Sequence, residues 1–238
     1  MDTGPEVERL VAALRALGDV PVDPSPVIVT ARPFHGVPVG RLRALARDWH
    51  RAHPGAEPVA VARLADALWN RAVREEMVLA VLILGRDRRS RERFGLRTVD
   101  RWLPLIDNWE TADALGMWVL APWVADDPER RYGTLDVLSR RRNPWAGRLA
   151  LVGCIGTARG AQGSRWWPRV ESLVLRLAGE HRAGIPKAVS WVLREHTRCC
   201  PDRVRGFLEL HAPALPSVVV RETRNKLDTG TKRGRTSG

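Results

Sequence analysis

This sequence predicts an all-α fold, a right-handed α-solenoid of about six HEAT-like helical repeats, and three observations carry that expectation. Apolar residues recur at helical spacing along most of the 238 residues, and convincing alternating strand patterns are absent. Ala46, Ala80, Ala114, Ala150, Ala188 and Glu222 fall within similar stretches, separated by 34, 34, 36, 38 and 34 positions. A period of roughly 35–40 residues with two helices per unit fits HEAT-like or tetratricopeptide-like stacks. The Trp, Leu-Gly and Tyr pattern of the second type is missing, which favours the first.

The elements follow in order. Segment 6–17 is amphipathic, with Val7, Leu10, Val11, Leu14 and Leu17 on one face and Gly18 behind it. Segment 20–33 carries Pro21, Pro24, Pro26 and Pro33, so it reads as an extended connector. Helices are then expected at about 38–52, 58–70, 72–85, 97–106, 109–120, 128–141, 144–158, 165–181, 184–197, 201–210 and 216–227. Each repeat helix opens on charged or capping residues before small and branched apolar ones, as Arg74-Glu75-Glu76 precedes Met77-Val78-Leu79-Ala80. Residues 228–238 contain Gly, Thr, Lys and Arg and no apolar side chain. They read as a disordered basic tail behind a single domain at 1–227.

Charge narrows the partner. Lys and Arg number 39 against 27 Asp and Glu, a formal net charge of +12, and an excess of that size favours a polyanion, nucleic acid first. Lys187, Lys226 and Lys232 are the only lysines, so an Arg-rich genomic composition accounts for part of the balance. Cys154, Cys199 and Cys200 offer no C-x-x-C pair with a partner at metal spacing, which disfavours a zinc site and a disulfide framework. Asp2, Glu6 and Glu8 stand where a secretory signal would be basic, and the longest apolar stretch, 77–84, is too short to span a bilayer. The expectation is a reduced, cytoplasmic, nucleoid-associated monomer with no membrane partner, no metal and no cofactor.

Three segments carry candidate chemistry. Trp109 and Asp113 lie four residues apart, which places an indole and a carboxylate on one side of a helix. Arg148 follows Trp145 by three, and Lys187, Trp191 and Arg194 share a later helix. Taken singly, each has a plainer explanation: a core indole, a surface carboxylate, a solvated arginine. Taken together, a lone carboxylate with indoles and guanidiniums on a basic chain suggests a site that stabilises a cation beside polyanionic DNA. Trp145 is expected in the core. Trp49, Trp69, Trp102, Trp118, Trp123, Trp166 and Trp167 are expected as packing or surface residues, and the arginine run 86–97 as a solvated loop, with phosphate contact as the alternative.

The order of these landmarks resembles the AlkD-like DNA alkylation repair glycosylases over most of the chain. They are Phe34-His35-Gly36-Val37-Pro38 before Leu42-Arg43, then Trp69-Asn70, Arg74-Glu75-Glu76, Asn108-Trp109 through Asp113, and Trp145 with Arg148. Lys187-Ala188 through Trp191-Val192-Leu193-Arg194-Glu195, Pro201-Asp202, and Leu215-Pro216-Ser217 before Arg221-Glu222 complete the series. The resemblance implies hydrolysis of the N-glycosidic bond of cationic N3- or N7-alkylated purines in duplex DNA, without flipping the base into a pocket. It implies Asp113 as the catalytic carboxylate, Trp109 and Trp191 as indoles about the lesion nucleotide's backbone, and Arg148 and Arg194 as basic contacts near the lesion. Lys187, one turn from Trp191, reads as a phosphate contact or a surface charge. One departure is that segment 20–33 lacks the aromatic DNA contact usual in the family; the sole tyrosine is Tyr132.

The main rival is a non-catalytic HEAT-like scaffold that binds nucleic acid or protein. Asp113 argues against it, because a pure DNA binder gains nothing from a carboxylate facing phosphates. A lyase would need an amine for a Schiff base, and Lys187 is the sole lysine near a candidate residue. A nuclease would want a carboxylate cluster for metal ions, and no such cluster is found around Asp113.

Overall fold

A computed structural model describes residues 2–18, 28–159 and 163–233. Among them the regular structure is helical, with no strand, as the sequence predicts. The fold is the HEAT-like all-α architecture of stacked helix pairs. The chain divides into two compact units, residues 1–119 and 120–238.

In the first unit, α1 (Thr3–Leu17) is capped by Asp2, whose Oδ1 accepts the Gly4 amide at 3.3 Å, and it buries Val7, Leu10, Val11 and Leu14. The Pro-rich connector lies outside the described residues up to 27, and 28–33 are non-helical, with Ile28 buried. Next come α2 (Val39–Ala52), α3 (Pro58–Asn70) and α4 (Arg74–Arg86). Pro58 opens α3 at its first turn, where its fixed φ suits a helix and its missing N–H costs nothing. Helices α3 and α4 pack as a pair, and α4 also packs on α2. Residues 74–85 of α4 are all buried, so its continuous apolar run belongs to a helix covered on every side. A single turn, α5 (Arg88–Arg91), is capped by Asp87, which accepts the Ser90 amide at 2.9 Å. The expected solvated loop at 86–97 therefore contains an ordered turn, with Arg86, Arg88, Arg89 and Arg93 exposed. Helices α6 (Leu96–Trp102) and α7 (Trp109–Leu115) complete the unit, and α7 packs on α4.

The helix expected at 109–120 is not uniform: after α7 the backbone widens into a π-helical turn, Gly116–Leu120. The local cause is Pro122. It stands four residues after Trp118 and lacks the N–H that the Trp118 carbonyl would accept in an α-helix. That carbonyl instead crowds Gly85, where a Cβ would lie 2.1 Å from it, so only glycine fits there.

The second unit contains α8 (Ala121–Asp126), α9 (Pro128–Ser139), α10 (Pro144–Ala158), α11 (Trp167–Leu177), α12 (Ile185–His196), α13 (Pro201–His211) and α14 (Ser217–Thr229). Helix α8 was not foreseen, since Pro122 reads as a breaker yet occupies its second position. Helix α10 is buried from Ala146 to Ala158 and packs against α8, α9 and α12, while α12 packs on α14. The six recurring positions thus mark helices that stack within each unit: α2, α4 and α7 in the first, α10, α12 and α14 in the second. The five alanines are buried at the seams, where a small side chain lets helices approach.

The boundary expected at 228 falls inside α14, which runs to Thr229 and ends on Gly230 in the left-handed region at φ 74°. The Nζ of Lys232 lies 3.2 Å from Glu222. Residues 234–238 of the expected tail lie outside the described residues.

Candidate active site and nucleic-acid interface

The first turn of α7 is fixed from several sides. Asn108, 2% exposed, accepts the Thr111 amide at 3.0 Å as N-cap, and its Nδ2 donates to Asp107 at 2.8 Å. Asp107 in turn accepts Thr30 Oγ1 at 2.8 Å and the Ala31 amide at 2.9 Å, which ties the 28–33 segment to the same place. Glu110 accepts both Arg74 Nε at 2.6 Å and Arg74 Nη2 at 2.8 Å, a bidentate fork.

Behind that fork is a buried carboxylate cluster. Glu75, fully buried, accepts Arg74 Nη1 at 2.7 Å and the amides of His35, Gly36 and Val37 at 2.8, 3.0 and 3.2 Å. Glu76, also buried, accepts Arg71 Nε at 2.6 Å and lies 2.9 Å from His35 Nε2. Burial alone would lower the Arg74 pKa, but Glu110 and Glu75 outweigh it and raise it, so the guanidinium stays charged. The Phe34–Pro38 and Arg74–Glu76 landmarks are therefore one structural unit. Their sequence signal was present, but as a landmark and not as a buried ion network.

On this anchored helix Thr111, Ala112, Ala114 and Leu115 face inward. Trp109 is 39% exposed and Asp113 half-buried one turn later, the shared face that the i, i+4 spacing predicts.

In the second unit, Lys187 is exposed near the start of α12. Trp191 is half-buried, its Nε1 donating to Glu195 at 3.4 Å. Arg194 Nε donates to Ser190 Oγ at 3.2 Å, and Ser190 Oγ donates to Glu222 at 2.5 Å. Lys187, Trp191 and Arg194 sit three to four residues apart and so occupy neighbouring positions on α12. Ser190 and Glu222 were not foreseen, though one signal existed: Glu222 is polar where the other five repeat positions hold alanine.

Arg148, expected as a basic contact near the lesion, is buried in this structure. It is 5% exposed, and its Nη1 donates to the carbonyls of Ala183 and Gly184 at 3.0 and 2.8 Å. Ala183 and Gly184 are both left-handed, at φ 50° and 61°, and a Cβ on Gly184 would lie 2.9 Å from Arg148 Nη1. In this structure the guanidinium holds the turn that leads into α12. Trp145, expected in the core, is half-buried. Trp49, Trp69, Trp102, Trp123, Trp166 and Trp167 are buried packing residues, whereas Trp118 is 40% exposed. Among the described residues no group of three His, Cys, Asp or Glu side chains could hold a metal ion, and no helix is long and apolar enough to cross a membrane.

The family of DNA alkylation repair enzymes matches residues 24–227. A solved structure, a predicted DNA alkylation repair enzyme from Enterococcus faecalis, superposes with a TM-score of 0.63 at 19% identity, covering 95% of this chain and 97% of that one. At that identity the likeness concerns the fold. None of the curated proteins searched matches the chain.

Proposed function

The chain belongs to the DNA alkylation repair enzyme family, and from that premise we propose that it is a monofunctional DNA glycosylase acting on cationic N3- and N7-alkylated purines in duplex DNA. The observation that carries this reading is Asp113, half-buried one turn from the exposed Trp109 on a helix whose first turn is locked by Asn108 and the Arg74–Glu110 fork.

The chemistry needs few groups. An alkylated purine is already cationic, so it departs neutral and needs no proton from a general acid. The barrier that remains is positive charge developing on the deoxyribose. A fixed carboxylate stabilises that charge and orients the attacking water, as in glycosidases. A preorganised group of this kind contributes about 3–4 kcal/mol in other enzymes. Trp109 presents a π face favourable to a cationic sugar and sheds water from it. In the second unit, Trp191, Lys187 and Arg194 contact the DNA backbone. Arg148 supports α12 from behind, through the 183–184 turn.

The test is release of base from a duplex carrying one 7-methylguanine. Wild type should leave an abasic site that stays intact until hot alkali cleaves it. Asp113→Asn should keep the unfolding midpoint and bind DNA at least as tightly as wild type, since a charge that repels phosphate is gone, but lose base release by two to three orders of magnitude, about the effect of one such group. Release by Asp113→Asn at the wild-type rate would sink the role of Asp113, whereas no release by wild type would return the lead to a non-catalytic DNA-binding scaffold.

A further inference from the structure

We propose that Trp118 and Arg43 form a second DNA-contacting ledge on the first unit, an indole-backed guanidinium that grips duplex phosphate beyond the catalytic carboxylate. The inference rests on the DNA-binding reading above and adds a site to it.

Exposure along the helix defines a ridge. Trp109 is exposed, Asp113 half-buried, Met117 half-buried and Trp118 exposed, whereas Thr111, Ala112, Ala114, Leu115, Gly116 and Val119 are buried. Trp118 follows Asp113 by five residues, and five residues of a regular α-helix would turn it well off that ridge. The π-helical turn Gly116–Leu120 adds about a residue to the local turn. That returns Trp118 toward the line of Trp109 and Asp113. Single π turns inside helices occur frequently at functional sites, and this one re-aims a large aromatic outward.

The partner of Trp118 comes from across the unit. Arg43 of α2 places its guanidinium carbon 5.0 Å from the Trp118 ring centroid, within cation–π range. Helix α4 packs on both α2 and α7, so the Arg43–Trp118 pair bridges over α4. Arg43 is exposed, and among the described residues no hydrogen bond or ion pair engages it. A covering for the apolar α4 would need neither a charge nor an indole 40% open to solvent. A guanidinium held over an indole by cation–π attraction has its N–H donors unspent, and a planar guanidinium suits a phosphate fork. Two further arginines extend the basic strip: Arg47, exposed one turn beyond Arg43 on α2, and Arg86, exposed and adjacent to Gly85, against which the Trp118 carbonyl lies. Nothing in this ledge reads a base edge, so its ligand is the backbone of any duplex.

Fluorescence anisotropy with an undamaged duplex across a salt series tests it, using wild type, Arg43→Ala, Arg43→Lys, Trp118→Leu and the Arg43→Ala/Trp118→Leu double variant. Arg43→Ala should raise Kd severalfold and flatten the log Kd against log salt slope by about 0.9, one phosphate's share. Arg43→Lys should keep the slope but still bind more weakly, since an ammonium lacks the fork. The double variant should be no weaker than the more affected single variant, because the two residues act as one unit. Arg43 is exposed on α2, so its variants keep the test decisive should Trp118→Leu unfold. Wild-type affinity and slope in Arg43→Ala, or additive losses in the double variant, would overturn the ledge. If wild type excises base while Arg43→Ala binds unchanged, the ledge alone falls. If wild type fails to bind duplex DNA at all, the glycosylase reading falls with it.

Discussion

Replacing Glu75 by alanine should be among the most destabilising single changes in the first unit. Its carboxylate is fully buried and accepts four donors: Arg74 Nη1 and the amides of His35, Gly36 and Val37. Each buried donor left unmade costs about 1–3 kcal/mol, and breaking a buried charged pair by removing one partner costs about 3–5 kcal/mol. Arg74 keeps its fork on Glu110, which removes the worst outcome, an unpaired buried guanidinium. The expected loss is therefore about 3–4 kcal/mol, near the lower end for a broken buried pair. At about 2–4 °C per kcal/mol for a chain of this size, the unfolding midpoint should fall by roughly 6–16 °C. Glu75→Gln should lose less, since one oxygen can still serve Gly36 and Val37, while its amide nitrogen would confront the His35 N–H. Urea titration followed by far-ultraviolet circular dichroism measures both variants. A loss below about 1 kcal/mol for Glu75→Ala, at unchanged m-value, would show that the loop amides find water and that the network does not anchor the 34–38 segment.

Two further outcomes follow from the second unit. Arg148→Gln should cost about 1.5–3 kcal/mol, the worth of hydrogen bonds to a charged donor, and any weakening of DNA binding should track that loss in thermal melts. Lost binding at an unchanged midpoint would mean that the guanidinium turns outward to phosphate. For Glu222, burial raises the pKa, but hydrogen bonds from Ser190 and Lys232 and the charges of Lys232 and Arg194 outweigh it and hold the carboxyl below its ordinary value. A depressed folded pKa contributes stability that is present above the unfolded value, about 4.3, and is lost as pH falls through the folded one. The stability gap between wild type and Glu222→Gln should thus stay constant above pH ~5 and close in more acidic buffer; a gap independent of pH would refute the pairing.

Helix positions were legible where local chemistry marks both ends. Segments 58–70 and 144–158 fall as the sequence places them, each opening on a proline at the first helical position, the second behind the Asn143 cap. The π turn and α8 were not legible, because Pro122 reads as a break and the close approach that absorbs the displaced carbonyl depends on Gly85, 33 residues before Trp118. The same limit applies to side chains. The shared face of Trp109 and Asp113 follows from i, i+4 spacing alone. The burial of Arg148 follows from carbonyls 35 and 36 residues away, which no local pattern encodes. Glu222 was visible as the misfit in a series of alanines, and its meaning came only with Ser190 and Arg194 beside it.

On the proposed reading, Asp113 works against binding, since a carboxylate near a phosphodiester repels it. Such a group helps only if it cannot swing away when the backbone arrives, because its benefit exists at the transition state and its cost in the ground state. The backbone that carries it is anchored locally: the Asn108 cap, the Arg74–Glu110 fork and the buried Glu75 all act on the turn immediately before Asp113 or on its supports. The attraction that offsets the repulsion comes from elsewhere on a chain of formal net charge +12, through arginines and lysines that need no such rigidity to attract phosphate. Rigid acid and adaptable base are then a division of labour, and it explains why the most elaborate buried ion network lies behind the one helix that carries the carboxylate.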